Sequence, residues 1–85
     1  MAGYRLLITP SAGKEIETLP KPDRRRIVTK ITALSRDPRP AGCEKLSRHD
    51  QCRLRQGHYR ILYEIQDSDL IVVVVNVRHR RDVYR

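Results

Sequence analysis

At RDPRPAG, residues 36–42, the spacing of apolar residues along the chain changes. Before it they recur every three to four residues; after Cys52 they alternate. Two prolines and a glycine in so short a stretch stop a helix and turn the chain. The break therefore separates a helical half from a strand half and confines the fold to the α+β class. In the first half Ala12, Ile16 and Leu19 fall at i, i+4 and i+7, and Ile27, Ile31 and Leu34 repeat the pattern. Thr9-Pro10-Ser11 reads as a helix start, with Thr9 or Ser11 as N-cap and Pro10 in the first turn. Pro20 ends that helix. Pro22 opens a second, running to about residue 36, with Asp23 near its positive pole. Ahead of both, YRLLIT at 4–9 reads as a strand.

The second half begins with a polar connection over 43–50, anchored by Leu46. Residues 52–56 and 58–66 flank Gly57 and read as a hairpin, QDSD at 66–69 as a further turn, and 70–78 as the most β-prone run. The order is β-α-α-β-β-β: two N-terminal helices packed on one face of a small, mostly antiparallel sheet. Residues 1–85 form a single domain, too short for two. The longest apolar run, LIVVVV at 70–75, cannot span a bilayer, and the start does not resemble a signal peptide. A membrane is thus not an expected partner. Cys43 and Cys52 lack the number and spacing of a disulfide framework or a zinc site, and read as free thiols in a reducing cytoplasm.

Charge narrows the partners further. The net charge is +8, and of 18 basic residues only Lys14, Lys21, Lys30 and Lys45 are lysines, leaving 14 arginines. Arginine presents a planar, permanently charged fork that matches phosphate oxygens. Alternation assigns faces on paper. Tyr59, Ile61, Tyr63 and Ile65 share one face, opposite Arg60, Leu62 and Glu64. Arg53 and Arg55 oppose Cys52, Leu54 and Gln56. Ile71, Val73, Val75 and Val77 share one face; Val72, Val74, Asn76, Arg78 and Arg80 share the other. Each strand so offers an apolar face to the helices and collects arginines on the second. Either that second face is an ordinary wet surface, or it binds a polyanion. The run Arg24-Arg25-Arg26, with Lys30, opens the second helix and reads first as a solvated face. The histidines show no metal spacing; His49 reads as loop surface, whereas His58 and His79 sit beside the arginines.

With these pieces in order, the chain resembles the RelE/ParE superfamily of bacterial toxins, and specifically its RelE-type messenger-RNA interferases. The likeness runs through YRLLITPSAGKEIETLP, RDPRPAG followed by EKL, CRLRQGHYRILYEI and VRHRRDVY. It implies cleavage of messenger RNA in the ribosomal decoding site by the adjacent 2′-hydroxyl, with no metal or other cofactor, and neutralisation by a small acidic antitoxin. It further implies that Arg60 contacts the scissile phosphate and that Arg80, or its neighbour Arg81, supplies a second phosphate-stabilising guanidinium. Tyr84 would stack on or orient the base. Arg53 and Arg55 stand where the ribosome-dependent type member has lysines. An arginine cannot serve as a general base, so the base falls to His58, Glu64 or Tyr84, or catalysis rests on positioning and charge. Arg78, Arg81, Arg24, Arg25, Arg26 and Lys30 are left for RNA or ribosome contact. Two other functions fit the same residues: a ParE-like poison of DNA gyrase, and a basic RNA- or ribosome-binding module without chemistry.

Overall fold

A computed structural model of the chain describes residues 3–46 and 50–79, and in it the helical half lies against the strand half. The elements are β1 (Arg5–Ile8), α1 (Pro10–Glu17), α2 (Lys21–Ala33), β2 (Glu44–Lys45), β3 (Gln51–Gln56), β4 (Tyr59–Gln66) and β5 (Ile71–His79). They form one sheet in the order β1-β5-β4-β3-β2. β1 runs parallel to β5, and every other pairing is antiparallel. The sheet is therefore mixed but mostly antiparallel, as the periodicity implies.

Local chemistry sets the helices. Thr9, in extended conformation, caps α1 by accepting from the Ala12 N–H at 3.2 Å, and Pro10 occupies the first helical position. Ser11 is inside the helix. α2 has no side-chain cap and relies on Pro22 and Asp23 in its first turn. It ends at Ala33, before the expected 36, because residues 34–36 turn to meet the prolines. Ala12, Ile16, Ile27, Ile31 and Leu34 form a single cluster with Cys52, Leu54, Ile61, Tyr63, Ile65, Val72, Val74 and Val77. Only one face of each strand contributes, so both helices cover the same side of the sheet and leave the other open. The Thr9 hydroxyl also donates to the Val75 carbonyl at 2.8 Å. Thr9→Ala removes both bonds and should cost about 1–2 kcal/mol in urea unfolding; an unchanged midpoint would show that the cap is dispensable.

The structure corrects two expectations. The connection over 43–50 contains the two-residue strand β2, in which Glu44 pairs with Arg53 and Lys45 with Cys52. The second concerns the faces of β5. Tyr63 opposes Val74 while Leu62 opposes Asn76, so Val75 is an extra residue in the ladder. Such a bulge reverses the parity of the strand beyond it. As a result Val72, Val74 and Val77 are all buried, whereas strict alternation put Val77 with Ile71 and Val73. Arg78 still reaches the open face.

A polar clamp closes one end of the molecule. Arg39 donates to both oxygens of Asp67 at 3.2 and 2.8 Å, and the Tyr4 hydroxyl donates to Asp67 Oδ1 at 2.7 Å. The Arg39 guanidinium, helped by the Tyr4 hydroxyl, lowers the Asp67 carboxyl from 3.8 to about 2. A depressed folded-state pKa gives stability that is present above 3.8 and lost as pH falls through about 2. Acid titration of Asp67→Asn should accordingly show a shallower loss of stability across that window than the parent protein.

Candidate functional site

Strand register brings the arginines together. The turn at Gly57-His58 has two residues, with Gly57 at φ +61°, a value glycine adopts without penalty at the first turn position. It closes on Gln56 and Tyr59, which sets Arg55 directly opposite Arg60. Arg60 in turn lies directly opposite Arg78 of β5. Directly opposed residues point to the same side, so Arg55, Arg60 and Arg78 form a row across three strands of the open face. The next row is Arg53, Leu62 and Asn76, and the one beyond it Gln51, Glu64 and Val73. Neighbours in a row have Cβ atoms about 4.5–5.5 Å apart, and like charges so placed disfavour the sheet. An anion lying along the row would reverse that sign.

The charges around the row are unevenly matched. Arg53 pairs with Glu44 at 3.3 Å, and Arg78 lies 3.6 Å from Glu15. Arg55 makes no ion pair among the described residues. Arg55, Gly57, His58, Tyr59 and Arg60 line a cleft of about 30 Å³, room for a water or a phosphate oxygen and too small for a base. Of the three expected candidates for a general base, His58 lies in this cleft and Tyr84 lies outside the described residues. Glu64 is four residues from Arg60 along β4, about 13 Å at strand rise, and accepts from the Gln51 amide at 3.1 Å. The His79 ring meets Tyr59 edge-on at 5.2 Å and lies 6.0 Å from the His58 ring. Tyr59 donates to Asp23 at 3.3 Å, and burial followed by the Asp23 charge raises its phenol pKa. The cleft is thereby tied to the start of α2.

The arginines of α2 are not part of the row. Arg25, Arg26, Thr29, Lys30, Ala33 and Gln56 border a concavity of about 480 Å³, and Arg24 and Arg25 border another with Lys21 and Val28. These belong to the helical layer, as a second basic surface. Arg80, Arg81 and Tyr84 lie outside the described residues. Among the described residues no cluster of His, Cys, Asp and Glu could hold a metal, and no helix is long and apolar enough to cross a membrane. The acidic partner of the row, Glu15 beside Arg78, escapes a sequence reading. Nothing local links a helix carboxylate to a strand more than sixty residues away.

Residues 6–84 match the family described as ParE toxin of type II toxin–antitoxin system, parDE. The chain belongs to the RelE/ParE toxin superfamily. It is 34% identical to Toxin RelG of Mycobacterium tuberculosis, over 96% of this chain and 97% of that protein. In structure this RelE/ParE toxin is similar to the RelBE2 toxin–antitoxin complex of M. tuberculosis, with a TM-score of 0.80 and 30% identity. That match covers 93% of this chain and all of the other. The isolated E. coli RelE toxin matches with a TM-score of 0.80 and 25% identity, over 95% of this chain and 90% of that one. The two helices against a five-stranded mixed sheet are the RelE arrangement.

Proposed function

We propose that this toxin is an endoribonuclease that cuts messenger RNA in the ribosomal decoding site, without a metal, and so arrests translation. The observation that carries the reading is the row Arg55–Arg60–Arg78. In the proposed reaction a ribose 2′-oxygen attacks the adjacent phosphorus. The 2′-O–P bond forms, the P–O5′ bond breaks, the leaving 5′-oxygen takes a proton from solvent, and the products are a 2′,3′-cyclic phosphate and a 5′-hydroxyl. Arg60 at the centre of the row, with Arg80 or Arg81, neutralises the charge that grows on the non-bridging oxygens. Arg55 and Arg53 hold the flanking backbone. His58 beside Arg60 takes the 2′-proton, a role neither arginine of β3 can fill. Tyr84 stacks on the substrate base and fixes the in-line angle. Arg78, with Arg24, Arg25, Arg26 and Lys30 on α2, meets RNA of the ribosome.

The partner that restrains this activity is an acidic antitoxin, a reading supported by the toxin–antitoxin complex formed by the M. tuberculosis relative. A surface carrying +8 favours such a chain, more strongly at low salt. The site of action is the cytoplasm.

Toeprinting on programmed ribosomes tests the reading. Cuts confined to the decoding-site codon and absent from naked RNA are the expected result; uncut message at toxin excess would reject it. On short single-stranded RNA, each alanine replacing Arg55 or Arg78 should flatten the log–log salt dependence of affinity by about 0.7.

The match to a ParE family supports a second reading, in which the protein poisons DNA gyrase by contact. Inhibition of gyrase supercoiling by purified protein, undiminished in Arg60→Ala, would select it.

A further inference from the structure

Arg78 owes its place in the row to the bulge. From Val72 and Val74, both buried, unbroken alternation would carry residues 76 and 78 onto the helix side. The extra residue Val75 turns Arg78 to the open face, opposite Arg60. A bulge disrupts the local ladder, and its backbone groups need other partners. α1 and its cap supply them. The Thr9 N–H continues the β1–β5 ladder by donating to the Val74 carbonyl at 3.1 Å, and the Thr9 hydroxyl donates to the carbonyl of the bulged Val75 at 2.8 Å. Glu15, six residues on, accepts from the Val77 N–H through Oε1 at 2.8 Å. Its other oxygen, Oε2, lies 3.6 Å from Nε of Arg78. One carboxylate thus holds both the backbone that turns Arg78 outward and the inner nitrogen of its guanidinium. The outer fork, on a side chain 54% exposed, stays available to a phosphate.

We infer that Glu15 is a positioning residue for Arg78, acting through the Val77 amide, so that a helix on the covered side of the sheet sets the geometry of the arginine row on the open side. For catalysis this rests on the ribonuclease reading above; for phosphate binding it does not. Glutamine keeps an oxygen for the Val77 N–H and alanine does not, so the two substitutions separate positioning from charge.

The experiment compares Glu15→Ala, Glu15→Gln, Arg78→Ala and the double variant Glu15→Ala/Arg78→Ala. The readouts are kcat and KM for ribosome-dependent cleavage, affinity for a short single-stranded RNA, and hydrogen exchange of the Val77 amide. Glu15→Ala should lower kcat/KM and RNA affinity by about tenfold, with no further loss in the double variant, because residues acting as one unit are non-additive. It should also speed Val77 exchange by about tenfold or more, through loss of the bond that protects that amide. Glu15→Gln should restore all three to within about twofold of the parent. Losses that multiply in the double variant would overturn the inference, as would a Glu15→Gln protein that melts like the parent yet behaves as the alanine does. If the parent protein cuts no message on ribosomes, the ribonuclease reading fails by itself. RNA affinity and Val77 exchange then still decide the role of Glu15.

Discussion

Arg60→Ala should lower cleavage on the ribosome by about 10²–10³-fold, the loss typical when one donor to a developing oxyanion is removed. The size follows from position. Arg60 is the only member of the row with a guanidinium-bearing neighbour on both sides, Arg55 on β3 and Arg78 on β5. Arg55→Ala and Arg78→Ala should each cost less, because the remaining pair still spans a phosphate. Arg60→Lys should recover little, since an ammonium is a point charge and cannot grip two oxygens as a planar fork does. Stability separates this effect from misfolding. Arg60 is outside the buried core, so the melting temperature of Arg60→Ala should stay near that of the parent while activity collapses. A variant that cuts at the parent rate would remove the row from the chemistry.

Tyr63→Ala should remove most of the protein's stability. Tyr63 is fully buried at the centre of β4, and emptying an aromatic site costs about 3–5 kcal/mol. Small domains have total stabilities near 5–15 kcal/mol, and one this short sits low in that range. Tyr63 also donates its hydroxyl to the Pro38 carbonyl at 2.8 Å. That bond fastens the segment that ends the helical half to the middle of the sheet. Burial raises the phenol pKa, so the hydroxyl keeps its proton and stays a donor. Tyr63→Phe keeps the ring and strands the carbonyl, at a cost of about 1–3 kcal/mol. Urea unfolding of both variants separates packing from the hydrogen bond. Equal losses would assign the whole effect to the bond, and an unchanged Tyr63→Ala would contradict the burial.

Most of the fold was legible because it depends on short-range patterns. The stripes Ala12/Ile16 and Ile27/Ile31/Leu34, the Thr9 cap and the alternation of β3 and β4 are each set by residues within a few positions of one another. The hairpin at Gly57 was legible, but the register of Arg55 on Arg60 was not, because it depends on His58 lying in the turn and not in the strand that the periodicity began there. β5 was different. Its bulge is held by Thr9 and Glu15, residues that no window around Val75 contains. Alternation alone therefore misassigned the faces of its valines, and reached the right side for Arg78 without the reason. β2 escaped because two polar residues, Glu44 and Lys45, carry no period at all. The site was legible as a set of arginines on one face, but their order into rows needed the pairing of β4 with β5.

The parallel register of β1 with β5, Arg5 against Ile71, sets an order of events in the cell. β1 cannot take its place in the sheet before β5 is made, and the row cannot gain Arg78 before then either. A nascent chain can form its helices early but cannot assemble the open face until β5 has been made and has emerged.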